Sequence, residues 1–477
     1  MLEIKIDLIW PNVSEKSSSL YPPLGLGYIA AVLERNEYKP NVIDLTFQEE
    51  KKKLGFKSDI YGLSCTTVLS RNALSLAKEI KEKNPTSTIV FGGPHPTLLP
   101  NEIILNPWVD AVCIGEGEYA FTEIVQHIEN GESLSDIKGI AYKEQGKPVF
   151  TEQRRPIENL DELPFPSQYL FPVEKYFEAN GIRDLSIHTS RGCPGNCTYC
   201  QPTLRTIFGP KLRYRSPENV LDEIEIIVKK HKLDMFVVTD DTFTWHTKNV
   251  EEICRGMIKR GINVLWRCQT RVNAPRETLH WMKKAGCIAV AFGVESGSQK
   301  ILDNIQKNIK IADIKTAFKN CHEVGILTHA YIMVGNIGED KTTIQQTKDI
   351  LAEIKPFNIN VSITTPYPGT QLYDYAMKNN LLLSKDWEKY DHIIGDTSGI
   401  KLENMTPEEV RHAKNNIEKF FEENSKHYKR GQLLKSLDVN TILRLTKMAI
   451  KNHSVPFRLL RFQKKVTKEA GISVIRK

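Results

Sequence analysis

The stretch Cys193-Pro-Gly-Asn-Cys197-Thr-Tyr-Cys200 sets three thiols within eight residues. Thiolates this close are ligands for zinc or for an iron–sulfur cluster, and the fourth position separates the two. A structural zinc site fills that position with another Cys or His, whereas a cluster on three protein thiolates leaves one iron open to a further ligand. No fourth Cys lies nearby in sequence, and His188 alternates with apolar neighbours as a strand residue does. The other six cysteines (Cys65, Cys113, Cys254, Cys268, Cys287, Cys321) are scattered through apolar contexts and read as core residues. Nine cysteines, an odd number, argue against a disulfide framework.

A ligand loop needs a rigid element beneath it. The loop follows a strand near Leu185–Thr189, and further strands lie near Met235–Thr239, Val264–Gln269, Ala289–Val294, Thr328–Val334 and Asn360–Thr364. Each is followed by a helical pattern, which predicts a partial parallel barrel whose ligands sit at the carboxyl ends of the strands. Asp240-Asp241 follow the second strand, Arg267 and Arg271 surround the end of the third, Gly293-Val-Glu-Ser-Gly-Ser-Gln299 follows the fourth and Gly335-Asn-Ile-Gly-Glu-Asp340 the fifth. An acid such as Asp240 accepts hydrogen bonds from an ammonium, and an arginine pairs with a carboxylate in bidentate fashion. Singly, each of these acids and glycines reads equally well as a solvated loop or turn residue; their common place at strand ends favours a ligand.

Residues 1–137 alternate short β-rich runs with helices, starting at Ile4–Trp10 and Leu24–Arg35, and predict a doubly wound parallel sheet. Its strand ends carry small polar loops: Ser64-Cys-Thr-Thr67, Gly92-Gly-Pro-His-Pro96 and Gly115-Glu-Gly-Glu118. A hairpin with its turn at Gln145-Gly146 and a proline-bearing linker occupy 138–182, the barrel takes 183–385, and 386–477 is helical. Thr406-Pro-Glu-Glu409 announces one helix there through a capping box.

The C-x3-C-x2-C spacing, with the aromatic Tyr199 before the last Cys, resembles the defining motif of radical S-adenosylmethionine (SAM) enzymes. The resemblance implies a [4Fe-4S] cluster on Cys193, Cys197 and Cys200, with the open iron chelated by the amino and carboxylate groups of SAM. Reductive cleavage of SAM would then give a 5′-deoxyadenosyl radical, with electrons from a donor such as flavodoxin or ferredoxin. Tyr199, Asp240, Asp241, Arg271, Glu295 and Ser296 match the family's SAM-contacting positions. The N-terminal loops resemble the cobalamin-binding domain fused to many such enzymes, and point to Ser64, Thr66, Gly92, Gly93, Gly115 and Glu116 as its contacts. The loop Trp10–Leu24 holds no histidine, so cobalamin is expected without a protein imidazole ligand, and His95 reads as a loop-shaping residue.

Together the two halves resemble class B radical SAM methyltransferases, which methylate unactivated carbons, and also anaerobic oxidative cyclases and ring-rearranging enzymes. A non-catalytic cobalamin carrier would not need the cluster loop. Thiolation of RNA would call for a second cysteine cluster and an RNA-binding module; neither is visible, so no nucleic-acid partner is expected and the substrate is a small molecule or a lipid.

The chain has 477 residues, 40% hydrophobic and 26% charged, as expected for two or three soluble domains. No apolar run suffices to span a bilayer, and the acid-containing N-terminus does not read as a signal peptide, which places the protein in the cytoplasm. Residues 427–477 hold 13 Lys and Arg against 2 Asp and Glu, so +11 of charge sits there and −4 on the rest. Ile442, Leu445, Met448 and Ala449 lie at helical spacing among Arg444, Lys447 and Lys451, and Phe457–Phe462 adds aromatics. Such a tail fits peripheral contact with an anionic membrane, or a helix packed on the barrel with a charged outer face.

Overall fold

The computed structural model describes residues 4–11, 20–200, 203–387, 390, 399–439 and 441–443. They form two compact units, one of residues up to 176 with 201–213 and 386–390, the other of 177–200, 214–385 and the C-terminal residues.

The first unit is built on a seven-stranded sheet: β1 (Ile6–Trp10), β2 (Asn41–Asp44), β3 (Ile60–Ser64), β4 (Thr88–Gly92), β5 (Ala111–Cys113), β6 (Ile140–Glu144) and β7 (Lys147–Phe150), in the order β2-β1-β3-β4-β5-β6-β7. Strands β1 to β5 are parallel. Alternate residues feed two apolar layers. Ile6, Leu8, Ile60 and Val90 face the helices Leu24–Arg35 and Gly117–Asn130, while Ile9, Tyr61, Leu63 and Phe91 face the helix Ser70–Lys83. This is the doubly wound sheet expected. Gly62 shows how closely one layer packs, since a Cβ there would lie 2.7 Å from the Phe121 ring. The strand order reverses between β1 and β3, which puts the ligand crevice of such sheets at their carboxyl ends.

The hairpin placed by sequence in the connecting segment extends this sheet instead. β6 pairs antiparallel with β5, and β7 with β6. Gln145 and Gly146 both take positive φ (50° and 78°), the geometry of a tight two-residue hairpin. Ile140 and Tyr142 of β6 supply the physical reason, because they fill one apolar layer of the sheet while Ala141 fills the other.

The second unit carries β8 (Asp184–Ile187), β9 (Met235–Val238), β10 (Leu265–Thr270), β11 (Cys287–Glu295), β12 (Leu327–Val334) and β13 (Asn358–Ile363), all parallel and ordered as in the sequence. This is the partial six-strand barrel. Residues facing the helices are apolar: Phe236 and Trp266 stack at 5.9 Å, and Phe292 meets Phe318 of the helix Ile311–Val324 at 5.3 Å. Strand periodicity then turns Arg267, Gln269, His329 and Tyr331 to the opposite, inner face.

The helix Pro407–Ser436 begins with the anticipated capping box: Thr406 Oγ1 accepts from the Glu409 amide at 3.2 Å, and Glu409 accepts from the Thr406 amide at 2.9 Å. Its buried face is Val410, Ala413, Ile417 and Phe421. The start of the basic tail is packed: Lys429 is buried with its ammonium 4.3 Å from the Phe421 ring centre, and Lys283 donates to the Ser436 carbonyl at 2.5 Å. The rest of the tail, from 444, lies outside the described residues, as do residues 12–19 of the histidine-free loop. No described helix is long and apolar enough to cross a membrane.

Candidate functional site

The cysteine loop leaves the end of β8 and is drawn close by glycine. A Cβ on Gly195 would lie 3.3 Å from Cys193 Sγ, 3.9 Å from Cys197 Sγ and 3.2 Å from Arg271 Nη1, so the space between the sulfurs and the guanidinium exists because residue 195 has no side chain. Arg271 Nη1 stands 3.7 Å from Cys197 Sγ, and its other nitrogen donates to the Lys307 carbonyl. Burial, then the neighbouring Cys197 and Cys193, push the Cys200 thiol up to about 12, with Lys307 opposing. Burial raises Cys193 as well. Such thiols hold their protons unless a metal displaces them, so the donor set is one that a cationic cluster completes. Among the described residues, no group of three or more His, Cys, Asp or Glu side chains converges to hold a single metal ion.

Behind the loop lies a buried triad that the sequence disclosed only in part. Lys307 Nζ donates to Glu295 Oε1 at 2.6 Å and to Tyr199 Oη at 3.3 Å. Glu295 sits at the end of β11 with φ +63°, and a Cβ on Gly293 would lie 2.5 Å from Glu295 Oε1 and 2.7 Å from Lys307 Nζ. Glycine at 293 is therefore required for this pair. Burial, followed by Glu295, raises the Tyr199 phenol far above its ordinary value. Lys307 carries no motif of its own, and the residues on either side, Gln306 and Asn308, adopt φ of 52°. That kink brings Lys307 to the triad, and a lone lysine in a polar stretch gives no hint of it.

The remaining strand-end residues divide by what already holds them. Asp240 is buried and accepts from the Thr189 amide at 2.7 Å and from the Thr189 and Ser190 hydroxyls at 2.5 and 2.6 Å. These bonds tie the end of β9 to the residues entering the cysteine loop, although burial still raises its carboxyl. Asp241 is open at its surface, yet desolvation by the surrounding protein, and then Asp240, push it up to about 7. The Ser296 hydroxyl lies 3.4 Å from Thr347 Oγ1 and accepts from the Ser298 amide at 3.1 Å, which makes it part of the turn against the helix Lys341–Ile354.

In the first unit, Ser64 ends β3 and Gly92 ends β4. Gly93 has φ +101°, where a Cβ would meet the Cys65 backbone at 3.1–3.2 Å, and Gly115 has φ +94° with open space beside it. The buried Thr66 hydroxyl has no hydrogen-bond partner. An orphaned hydroxyl and an open glycine at neighbouring strand ends fit the tail of a broad ligand entering the sheet. Glu116 is held differently: its carboxylate takes Arg213 at 3.0 and 3.2 Å and the Ile157 amide at 2.7 Å, all buried. His95 is buried in the short helix Pro94–Leu98, with Nε2 3.5 Å from Glu102 and its ring edge-on to Trp387.

Comparison with known proteins agrees with this geometry. Residues 187–379 match the radical SAM superfamily and residues 13–125 the B12 binding domain. An uncharacterized methyltransferase of Pyrococcus horikoshii is 36% identical over 82% of this chain and 85% of its own. An anaerobic magnesium-protoporphyrin IX monomethyl ester cyclase of Rubrivivax gelatinosus is 30% identical over 82% of this chain and 73% of its own. Among solved structures, the radical SAM methyltransferase TsrM of Kitasatospora setae, with cobalamin and a [4Fe-4S] cluster bound, shares the fold at TM-score 0.69 and 16% identity, covering 79% of this chain and 75% of that one. The chain belongs to the radical SAM superfamily, in the group whose members carry an N-terminal B12-binding domain. Its cofactors are accordingly a [4Fe-4S] cluster, SAM and cobalamin, and it acts on a small molecule with electrons from an external donor.

Proposed function

We propose that this protein is a cobalamin-dependent radical SAM methyltransferase that places a methyl group on an unactivated carbon. The observation that carries the reading is the pairing of the three-thiol loop with a strand-end crevice fit for a corrin tail, in a chain 36% identical to an archaeal methyltransferase. When bound, the cluster supplies the electron that cleaves SAM and the corrin carries the methyl group.

In this reading Cys193, Cys197 and Cys200 hold the cluster, and Arg271 offsets charge at Cys197. Lys307, bonded to Glu295, is placed to meet the SAM carboxylate, with Tyr199 limiting its movement. Asp241 offers an acceptor to the SAM ammonium, while Asp240 and Ser296 act through the backbone turns they fix. Ser64, Thr66, Gly92, Gly93 and Gly115 admit the cobalamin tail, and Glu116 braces its own loop through Arg213. Flavodoxin or ferredoxin is the natural class of donor, in the cytoplasm. Peripheral contact of the basic tail, residues 427–477, with anionic membrane is tested by sedimentation with anionic vesicles, expected to be lost at high salt.

The test is anaerobic turnover of the reconstituted full chain on the true substrate, counting 5′-deoxyadenosine and S-adenosylhomocysteine separately. Methyl transfer forms both in comparable amounts, because one SAM serves each role. Substrate consumed with 5′-deoxyadenosine alone overturns it in favour of oxidative cyclisation, the second reading, which the resemblance to the Rubrivivax cyclase supports.

A further inference from the structure

Apolar residues gather on the outside of the chain where the long helix Pro407–Ser436 ends. Of the fourteen large hydrophobic side chains exposed among the described residues, five lie within ten positions: Leu434, Leu437, Val439, Ile442 and Leu443, 39–72% exposed. The others are spread from Leu105 to Leu383. Single exposed leucines are ordinary, but a group this dense marks a surface that meets an apolar partner.

The backbone beneath these residues is held in place. Lys283, near the end of the helix Arg276–Lys284, is buried, and its ammonium donates to the Ser436 carbonyl at 2.5 Å and to Thr441 Oγ1 at 3.1 Å, with Asp438 at 3.9 Å. Asp438 starts a new helical turn: its carboxylate accepts from the Thr441 amide at 2.8 Å, and its carbonyl from the Ile442 amide at 2.9 Å. The side of this turn that faces Lys283 is therefore polar, with Thr441 buried on it, while Val439, Ile442 and Leu443, at helical positions i, i+3 and i+4, are exposed. A helix that covers a core has the reverse arrangement, apolar in and polar out. Lys283 thus fixes an inverted turn.

Charge identifies the partner. Arg430 lies one turn before Leu434 and Lys435 directly after it, both exposed, and residues 444–477 add ten Lys and Arg against one Glu. Cations around an apolar group suit a surface that is anionic outside and apolar within, which is a bilayer containing acidic lipids. Long basic side chains reach its headgroups while leucines enter the acyl boundary. A second copy of this chain would bring the same positive charge to the contact and be repelled.

We propose that Leu434, Leu437, Val439, Ile442 and Leu443 form an edge that inserts into anionic bilayers, clamped to the helix Arg276–Lys284 by Lys283. This rests on the reading of the basic tail as a membrane contact and deepens it: attachment uses inserted side chains as well as charge.

The test uses the full chain reconstituted with cluster and cobalamin, and vesicles of phosphatidylcholine with or without phosphatidylserine. Sedimentation compares the wild type, the paired variant Leu434→Ser with Leu437→Ser, and Leu105→Ser, a control at a leucine as exposed as Leu434 but in the other unit. Iron content checks the fold, and all three proteins carry the same charge. The paired variant should bind the acidic vesicles about tenfold or more weakly, because two leucines are withheld from the bilayer, and Leu105→Ser should bind as the wild type does. In Leu437→Trp, tryptophan emission should move to the blue on adding acidic vesicles and be quenched by brominated acyl chains. Equal binding of the paired variant and the wild type would leave the tail's charge as the whole attachment and overturn this proposal alone. Emission of Leu437→Trp that is blue before vesicles are added, and unmoved by them, would mean that the chain itself or a second copy covers the edge, and would overturn it too. Failure of the wild type to sediment with acidic vesicles at low salt would remove the membrane reading, and the inserted edge with it.

Discussion

The barrel unit holds two sets of thiols, and their surroundings give them opposite fates. Cys193, Cys197 and Cys200 lie on a loop at a strand end, around a glycine, with Arg271 and Lys307 beside them. Cys254, Cys268, Cys287 and Cys321 come from two helices and two strands and meet in the layer between sheet and helices, where all four are buried. The Cys268 thiol is hydrogen-bonded to that of Cys287, and burial raises Cys254, Cys268 and Cys321 far above the ordinary thiol range, with the other thiols adding to it. No cation figures among the influences on these three. Four convergent sulfurs without a cation are thus core packing, whereas the three on the loop, around a glycine and beside Arg271, have the charge and space that a ligand set needs. The number of cysteines decides less than the charge and space around them.

The largest contrast should appear on removing the sulfurs. Cys193→Ala, Cys197→Ala and Cys200→Ala combined should abolish the about four irons per chain expected of the cluster, and SAM cleavage with them, as read by iron and sulfide analysis and by 5′-deoxyadenosine. Stoichiometric zinc without sulfide in the wild type would break the comparison at its root.

A smaller effect is expected from the buried set. Cys268→Ala should lower stability by about 1–2 kcal/mol through the cavity it leaves, measured by denaturant unfolding of metal-free protein, with iron content of the reconstituted variant unchanged. A loss of iron would mean that the two sets are not independent.

The smallest effect is electrostatic. Asp241 has its carboxyl pushed up to about 7 from 3.8, so the folded chain binds this proton more tightly than the unfolded chain does. Stability from that source is full below about pH 4 and declines as pH rises to about 7, where the charged form must be accommodated. Asp241→Asn should escape the decline. Its melting temperature in metal-free protein should match the wild type near pH 4 and exceed it by a few degrees at pH 8. A gap independent of pH would remove the electrostatic cost from the loop end of the barrel.

Much of this was legible in the sequence because it is periodic. The helix Leu24–Arg35 and the strand runs of both sheets follow from alternation and helical spacing, and the capping box at Thr406 from four residues. The triplet and its spacing were visible in the sequence, and the structure sets Arg271 and Lys307 beside it. What escaped detection depends on tertiary meeting: Lys307 reaches Glu295 through a kink between two residues at positive φ, and the four buried thiols come together from positions 254 to 321. The hairpin 140–150 was found as a hairpin, but its membership in the first sheet rests on pairing with β5, which no local pattern encodes.

The bond between Glu116 and Arg213 bears on how such an enzyme is inherited. The first unit is not one stretch of chain: residues 201–213, directly beyond Cys200, belong to it, and Arg213 closes on a carboxylate that is 3% exposed. Cutting the gene after residue 176 would strand that carboxylate in the interior, at a cost of about 3–5 kcal/mol for a buried ion deprived of its partner. A recombination event that exchanged this cobalamin module alone would carry the same penalty. The two halves are therefore bound to evolve as a single transmissible block, and lineages of the corrin-binding half should branch together with those of the cluster-binding half.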